Sequence, residues 1–109
     1  MEQRTYRVVV RGRFSGLDEP TRARLRQEAA EHDLLTARFT DAGTLTYDER
    51  LDAFQHRVVV RVDAGPGEED VARTAGELAA MAHLDAAGLG HRDLRSSATC
   101  TDDVKVRRR

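Results

Sequence analysis

Several residue types are scarce in this chain of 109 residues, and each scarcity excludes a class of structure or function. Cys100 is the only cysteine, so an internal disulfide is impossible and a reducing, cytoplasmic location is expected. No apolar run approaches the ~20 residues that cross a bilayer, so we expect no contact with a membrane. The first ten residues, MEQRTYRVVV, lack the apolar core of a signal peptide.

Lysine is equally scarce: of the 18 basic residues, only Lys105 is a lysine and the rest are arginines. The codon bias of a GC-rich genome explains much of this excess. Arginine also offers a planar fork of donors that suits carboxylates and phosphates. The net charge of −1 disfavours nucleic acid as a partner, because nucleic-acid binding needs a basic surplus. A small anionic ligand remains open.

Motifs for catalysis or metal binding are also missing. The tetrapeptide HRDL at residues 91–94 matches the start of a protein-kinase catalytic loop, but Ala98 stands where that loop needs asparagine. We therefore interpret HRDL as structural, with Leu94 packed inward. No H-x-x-x-H or C-x-x-C spacing occurs, so we expect neither a metal nor a cofactor.

The pattern of apolar residues predicts the order of the elements. Period-two alternation predicts long strands at residues 5–14 and 54–63 and another at 93–100. Residues 37–48 read as two short strands joined by a loop at Gly43. A first helix follows Asp18 and Pro20, and a second covers residues 68–87, with an apolar stripe of Val71, Ala75, Leu78 and Ala82.

A quasi-repeat points to the fold. The string RVVVR occurs at residues 7–11 and again at 57–61, each time before a glycine-containing turn and a helix. Two such halves predict a ferredoxin-like α+β sandwich, βαββαβ, with both helices on one face of an antiparallel sheet. We expect one domain over residues 1–109, one extra short strand near residues 44–48, and a flexible tail at residues 102–109.

The two long strands should pair in this fold. We call the face of the sheet that the helices cover the closed face and the other the open face. If Val9 lies opposite Val59, then Tyr6, Val8, Val10 and Phe14 meet apolar partners on the closed face. The same register sets two pairs of like charges on the open face, which is destabilising unless something compensates. These pairs are Arg7 with Arg61 and Arg11 with Arg57. The open face therefore predicts an interface or an anion site, formed by Arg7, Val9, Arg11, Arg57, Val59 and Arg61.

His56 falls on the closed face, opposite Gly12 in this register. The missing side chain at Gly12 leaves room for a small pocket. A semi-buried structural histidine is one interpretation. The other is a general base, because the pKa of histidine lies near neutral pH.

Three strings carry a resemblance: VRGRFSGL, EHDLLTARFTDAGTLTYD and GLGHRDLRSSATCTDDVKVRR. Together they span nearly the whole chain. With them the chain resembles an uncharacterised family of small actinobacterial proteins, known only as a domain of unknown function. That resemblance implies a single domain and carries no activity.

Two hypotheses for function follow from these patterns. The first is a non-enzymatic module that forms a homodimer through the open face or binds a small acidic ligand there. The second is a cofactor-free enzyme that acts on a small metabolite, with His56 as the base. The sequence leaves open whether the protein is an enzyme.

Overall fold

The computed structural model describes residues 2–29 and 38–102. Their elements are β1 (Gln3–Phe14), α1 (Glu19–Glu28), β2 (Thr44–Tyr47), β3 (Ala53–Asp63), α2 (Glu68–Ala86) and β4 (His91–Cys100). The strands form one antiparallel sheet in the order β2-β3-β1-β4. This is an α+β arrangement compatible with the ferredoxin-like βαββαβ fold, so the predicted fold class is confirmed. Neither helix within the described ranges is long and apolar enough to cross a membrane.

The two central strands divide their side chains between the faces as their alternation predicts. Tyr6, Val8, Val10 and Phe14 of β1 are all buried. The residues that alternate with them, Arg7, Val9, Arg11 and Arg13, point to the open face and are exposed or half-buried. The closed face is thus apolar because every second residue of a strand points the same way.

The register between β1 and β3 differs from the predicted one by two residues. Val8 pairs with Val58, and Val9 pairs with Arg57. A shift of two residues keeps every side chain on its face, so the core is conserved while the neighbours change. The predicted pairing of Val9 with Val59 is therefore wrong, and alternation alone could not have detected the error.

The short strands also differ from the prediction. Thr44–Tyr47 is β2 itself, one of the four strands of the sheet, and not an extra strand. The strand expected before it is reduced to one bridge, between Thr40 and Val58, and Ala37 lies outside the described residues. At the other end, Asp102 accepts a hydrogen bond from the backbone N–H of Thr5 at 3.1 Å. Residue 102 is therefore part of the fold, and the remainder of the predicted tail lies outside the described residues.

Helix α1 begins where the sequence predicted. Asp18 caps it by accepting a hydrogen bond from the backbone N–H of Thr21 at 2.9 Å, and this bond lowers the pKa of the Asp18 carboxyl. Leu25 is the fully buried residue of the helix. It joins the aromatic cluster of Phe14, Tyr47 and Phe54 at one end of the sheet.

Helix α2 packs through a different face from the one predicted. Its buried residues are Ala72, Gly76, Ala80 and Leu84. The predicted stripe was wrong: Val71 and Leu78 are 56% and 58% exposed. The reason lies at Gly76, where a Cβ would overlap the side chain of Val8. At Gly76 the helix lies so close to β1 that no larger residue fits between them.

Candidate functional site

The six residues predicted to form an interface or an anion site lie on the open face of the sheet. Their exposure ranges from half-buried to exposed. Because of the register shift, Arg7 lies opposite Val59, and Arg11 lies opposite Gln55. The two like-charge pairs predicted between β1 and β3 therefore do not form. The role of the six residues stays a prediction, and their individual environments now differ.

Arg7 and Arg57 share one aromatic neighbour, Phe39. Their guanidinium carbons lie 5.4 and 5.6 Å from the centroid of the Phe39 ring. Both distances are within the range of cation–π attraction. The half-buried Phe39 therefore gives these two arginines a favourable neighbour.

Arg61 has an acidic partner from the same stretch of chain. Its Nη1 donates to Oδ1 of Asp41 at 3.2 Å. The stretch is held against β3 by the backbone N–H of Val59, which donates to the carbonyl of Thr40 at 2.9 Å. Residues 38–41 thus cover the β3 side of the open face. We call Arg7, Arg57 and Arg61 with these four residues the covered half.

Arg11 has a different environment. It lies directly opposite Arg95 of β4 in the β1–β4 ladder. Both side chains are exposed, and within residues 2–29 and 38–102 neither guanidinium has a hydrogen bond or an ion pair. Like charges directly opposite one another repel. We call Arg11 and Arg95 the arginine pair.

A second arginine pair in the same two strands provides a comparison. Arg13 lies opposite Arg92. Its Nη1 contacts both carboxylate oxygens of Asp52 at 2.8 Å, and this hydrogen bond raises the pKa of Arg13. Arg92 lies 3.9 Å from the carboxylate of Asp93. Here each arginine has a carboxylate beside it, whereas the arginine pair has none among the described residues.

A bulge in β4 separates these two pairs. The register shifts between Arg11 and Arg13, and Asp93 adopts a φ of 58°, in the left-handed region that bulges and turns use. Leu94 packs against both core clusters, so its predicted inward packing is confirmed. The HRDL tetrapeptide therefore forms part of a β-bulge in β4, which is a structural role for this sequence.

The arginine pair borders a cavity of about 760 Å³, a volume within the range of small-molecule sites. One row of side chains across the sheet forms part of its lining. The ladder pairings set that row in the order Thr46, Gln55, Arg11, Arg95. Further lining comes from the end of α1 and from the turn after β2, with Arg26, Gln27, Asp48 and Glu49.

His56 lies in the core, away from that cavity. Its side chain is fully buried, and its Nε2 lies 3.2 Å from Nδ1 of His83. Burial, with a smaller contribution from the nearby His83, lowers the pKa of His56 to about 4. His56 is therefore neutral at physiological pH.

The predicted pocket between His56 and Gly12 does not form. His56 lies opposite Val10, and Gly12 lies opposite Phe54. The space beside Gly12 on the closed face is filled by the side chains of Phe54 and Leu94. Gly12 borders the 760 Å³ cavity, but His56 is not among the described residues that line it. His83, the neighbour of His56, lines a smaller cavity of about 290 Å³, but His56 itself is not among the described residues that line it.

The remaining candidates have structural environments. Cys100 is buried in the core cluster of β1 and α2. Within the described residues, no three side chains of histidine, cysteine, aspartate or glutamate converge as a metal site would require. Whether the protein binds a metal stays a prediction that only metal analysis can test.

Sequence reasoning missed Arg95, Gln55 and Phe39. Gln55 and Arg95 carry a signal in hindsight, because each follows the period-two alternation onto the open face of its strand. Phe39 had a weaker signal, because the alternation that assigned it to a short strand does not indicate a contact with arginines. Its contact with arginines from two different strands depends on how residues 38–41 return to the sheet.

The comparisons with known proteins bear on the family. No curated protein and no solved structure matches the chain. A family model described as a family of unknown function, DUF6204, covers residues 1–109. The resemblance drawn from the sequence is thus confirmed over the whole chain, and the protein belongs to this family of unknown function.

Proposed function

We propose that the protein binds a small acidic ligand, a carboxylate or a phosphate, between Arg11 and Arg95. One observation carries the proposal. Of two arginine pairs that face each other across β1 and β4, one has both members paired with carboxylates and the other has no ion pair among the described residues. An anion placed between Arg11 and Arg95 would supply the missing negative charge.

The chemistry of the side chains supports this proposal. Each guanidinium presents several N–H donors in a plane, which match the two oxygens of a carboxylate or the oxygens of a phosphate. The pair also borders a cavity large enough for a small molecule. An anion between the two arginines would relieve the repulsion that they exert on each other in the free protein. This relief would add to the affinity for the ligand.

A homodimer through the open face is the second candidate. Its support is Val9, a half-buried apolar residue on that face, which lies between Arg57 and Ser97 in its row. Against it stands the covered half, because residues 38–41 already occupy the β3 side. If the dimer forms, the Val9→Asp variant should become monomeric in light scattering and remain folded. A wild-type protein that is monomeric at high concentration would eliminate this candidate.

The hypothesis of a cofactor-free enzyme has less support. It depended on a pocket beside His56, and the described residues fill that space. A base must reach its substrate, and the side chain of His56 is fully buried. We therefore favour binding over catalysis.

Calorimetric titration with inorganic phosphate and with succinate tests the proposal. Charge-assisted hydrogen bonds each contribute about 1.5–3 kcal/mol. The double variant Arg11→Ala, Arg95→Ala should therefore bind at least about tenfold more weakly than the wild type.

The matched control is Arg7→Ala with Arg61→Ala, which removes the same charge from the same face of the sheet. It should change the affinity less than about threefold, because distant charges on the surface are screened. Equal losses in the two double variants would mean that only net charge matters. No binding of either anion to the wild type would refute the proposal.

A further inference from the structure

The cavity beside the arginine pair is not uniform in charge along its length. The cationic end lies over β1 and β4, where Arg11 and Arg95 have no ion pair among the described residues, and the charges of Arg13 and Asp93, which also line the cavity, offset one another. Towards β2, the row continues with Gln55 and Thr46. These two side chains are polar and uncharged. A ligand that follows the row therefore passes from a cationic surface to a neutral one that forms hydrogen bonds.

The turn beyond β2 does not restore a net charge. Asp48 is paired with Arg50 at 3.3 Å. Arg26 donates from its Nε to the backbone carbonyl of Glu49 at 3.4 Å, so the turn beside α1 carries one arginine for each of its two acids. The two acids and two arginines balance one another. The far end of the cavity therefore carries no net charge that would attract a second anionic group or a cationic group.

One polar side chain along the row has unused hydrogen-bonding capacity. The side-chain amide of Gln55 is half-exposed and makes no hydrogen bond within the described residues. Thr46 is 1% exposed and its hydroxyl donates to the carbonyl of Gln55 at 3.4 Å, so a ligand does not reach it. An amide both donates and accepts, and so does a hydroxyl. Groups of that kind match hydroxyl groups on a ligand, which have the same dual character.

The scale of the row sets the size of the ligand. Adjacent strands lie about 4.8 Å apart, so a ligand whose acidic group lies midway between β4 and β1 reaches Gln55 on β3 after roughly 7 Å. That span corresponds to a molecule of about six backbone atoms. The aromatic residues that line the cavity, Tyr47 and Phe54, are 8% and 3% exposed. They offer little surface on which a base or another flat ring could stack.

We propose that the ligand is a polyhydroxylated anion of about six carbons, an acyclic or cyclic sugar acid or sugar phosphate. Its acidic group lies between Arg11 and Arg95, and its hydroxyl groups contact the side-chain amide of Gln55. The inference rests on the proposed anion site and adds the chemistry of the rest of the ligand. Gln55 is a specificity-determining residue in this arrangement, because it distinguishes a hydroxylated chain from an aliphatic one.

A matched series of ligands tests the inference on the wild-type protein. Gluconate and hexanoate have the same number of carbons and the same carboxylate, and differ in the hydroxyl groups. Glucose has the hydroxyl groups without the charge. Calorimetry should show gluconate binding about tenfold more tightly than hexanoate, as expected for one or two added hydrogen bonds. Glucose should not bind measurably. Glucose 6-phosphate, measured in parallel, decides whether the acidic group is a carboxylate or a phosphate.

The variant Gln55→Leu sharpens the test. It should bring gluconate binding down to the level of hexanoate while leaving hexanoate binding unchanged, so retained hexanoate binding also reports that the variant is folded. Arg11→Ala should weaken both ligands by a similar factor.

The outcomes separate the two proposals. Equal affinities of gluconate and hexanoate for the wild type would overturn this inference and leave the anion site in place. Tighter binding of hexanoate would overturn it as well. Failure of every anion to bind, including both six-carbon acids, would overturn the anion site together with the inference.

Discussion

The two faces of the sheet, built from the same strands, treat charge in opposite ways. On the closed face the polar residue His56 is fully buried, and its pKa is lowered to about 4, so it stays neutral. On the open face, the next residue in the sequence, Arg57, places its guanidinium over the ring of Phe39. The closed face excludes charge because its neighbours are apolar and tightly packed. The open face carries several arginines, and the electrostatic energy of each one is set by the side chains beside it.

The first prediction concerns the closed face and has the largest expected effect. The pKa of His56 is about 4 in the folded state and 6.5 when unperturbed. Below pH 6.5, His56 becomes protonated in the unfolded chain but stays neutral in the folded protein until about pH 4. The free energy of unfolding therefore falls as the pH is lowered. The loss should be about 2 kcal/mol at pH 5 and about 3 kcal/mol at pH 4. Urea unfolding at pH 7, 6 and 5 measures it.

The variant His56→Leu separates this contribution from that of the carboxyl groups. It should remove most of the change between pH 7 and pH 5, whatever its effect on stability at pH 7. The control His91→Gln alters a half-buried histidine beside Asp85 and should keep the dependence. An unchanged pH profile in His56→Leu would mean that His56 is accessible to protons in the folded state.

The second prediction tests how tightly the closed face is packed. Gly76 of α2 lies against Val8, with no room for a Cβ. Gly76→Leu should therefore destabilise the protein by about 1–3 kcal/mol through overpacking, although leucine favours helix more than glycine does. Thermal unfolding should show a fall in Tm of roughly 5–15 °C. The control is Ala82→Leu, which adds a large apolar side chain on the exposed side of the same helix and should leave Tm nearly unchanged. Similar melting temperatures for the two variants would show that α2 can move away from β1.

The third prediction compares two arginines on the open face and has the smallest effect. Arg95→Glu places a carboxylate opposite Arg11 and should raise Tm by about 2 °C at low ionic strength, because repulsion across the strands becomes attraction. Arg61→Glu places a second carboxylate beside Asp41 and should lower Tm. Both shifts should shrink in concentrated salt. A stabilising effect of both substitutions would mean that the whole face, and not the arginine pair alone, carries uncompensated positive charge.

The sequence predicted most of what depends on periodicity. The alternation in β1 and β3 assigned Val8 and Val58 to the core and Arg11 to the open face, and the structure agrees. It failed for α2, where the largest apolar residues were expected inside. Helix packing there is decided by the distance to β1, and Gly76 permits an approach that Val71 or Leu78 would prevent.

The candidate site could be predicted only in part. Arg11 was identified from its place on the open face, but its partner was expected on β3 and lies on β4, at Arg95. The error came from the register, since a slip of two residues leaves the apolar pattern unchanged. The bulge at Asp93 adds a second shift that periodicity does not show.

The sequence by itself determined the order of the elements, the two faces of the long strands and the family of the protein. These depend on local properties: the alternation of side chains, a capping carboxylate at Asp18 and residue identities along the chain. Only the tertiary structure decided which arginines have partners. Phe39 and Asp41 reach Arg7 and Arg61 across long stretches of sequence, while the β1–β4 ladder sets Arg11 against Arg95. Contacts between residues far apart in the chain depend on strand register and loop path, and neither is encoded in a local pattern.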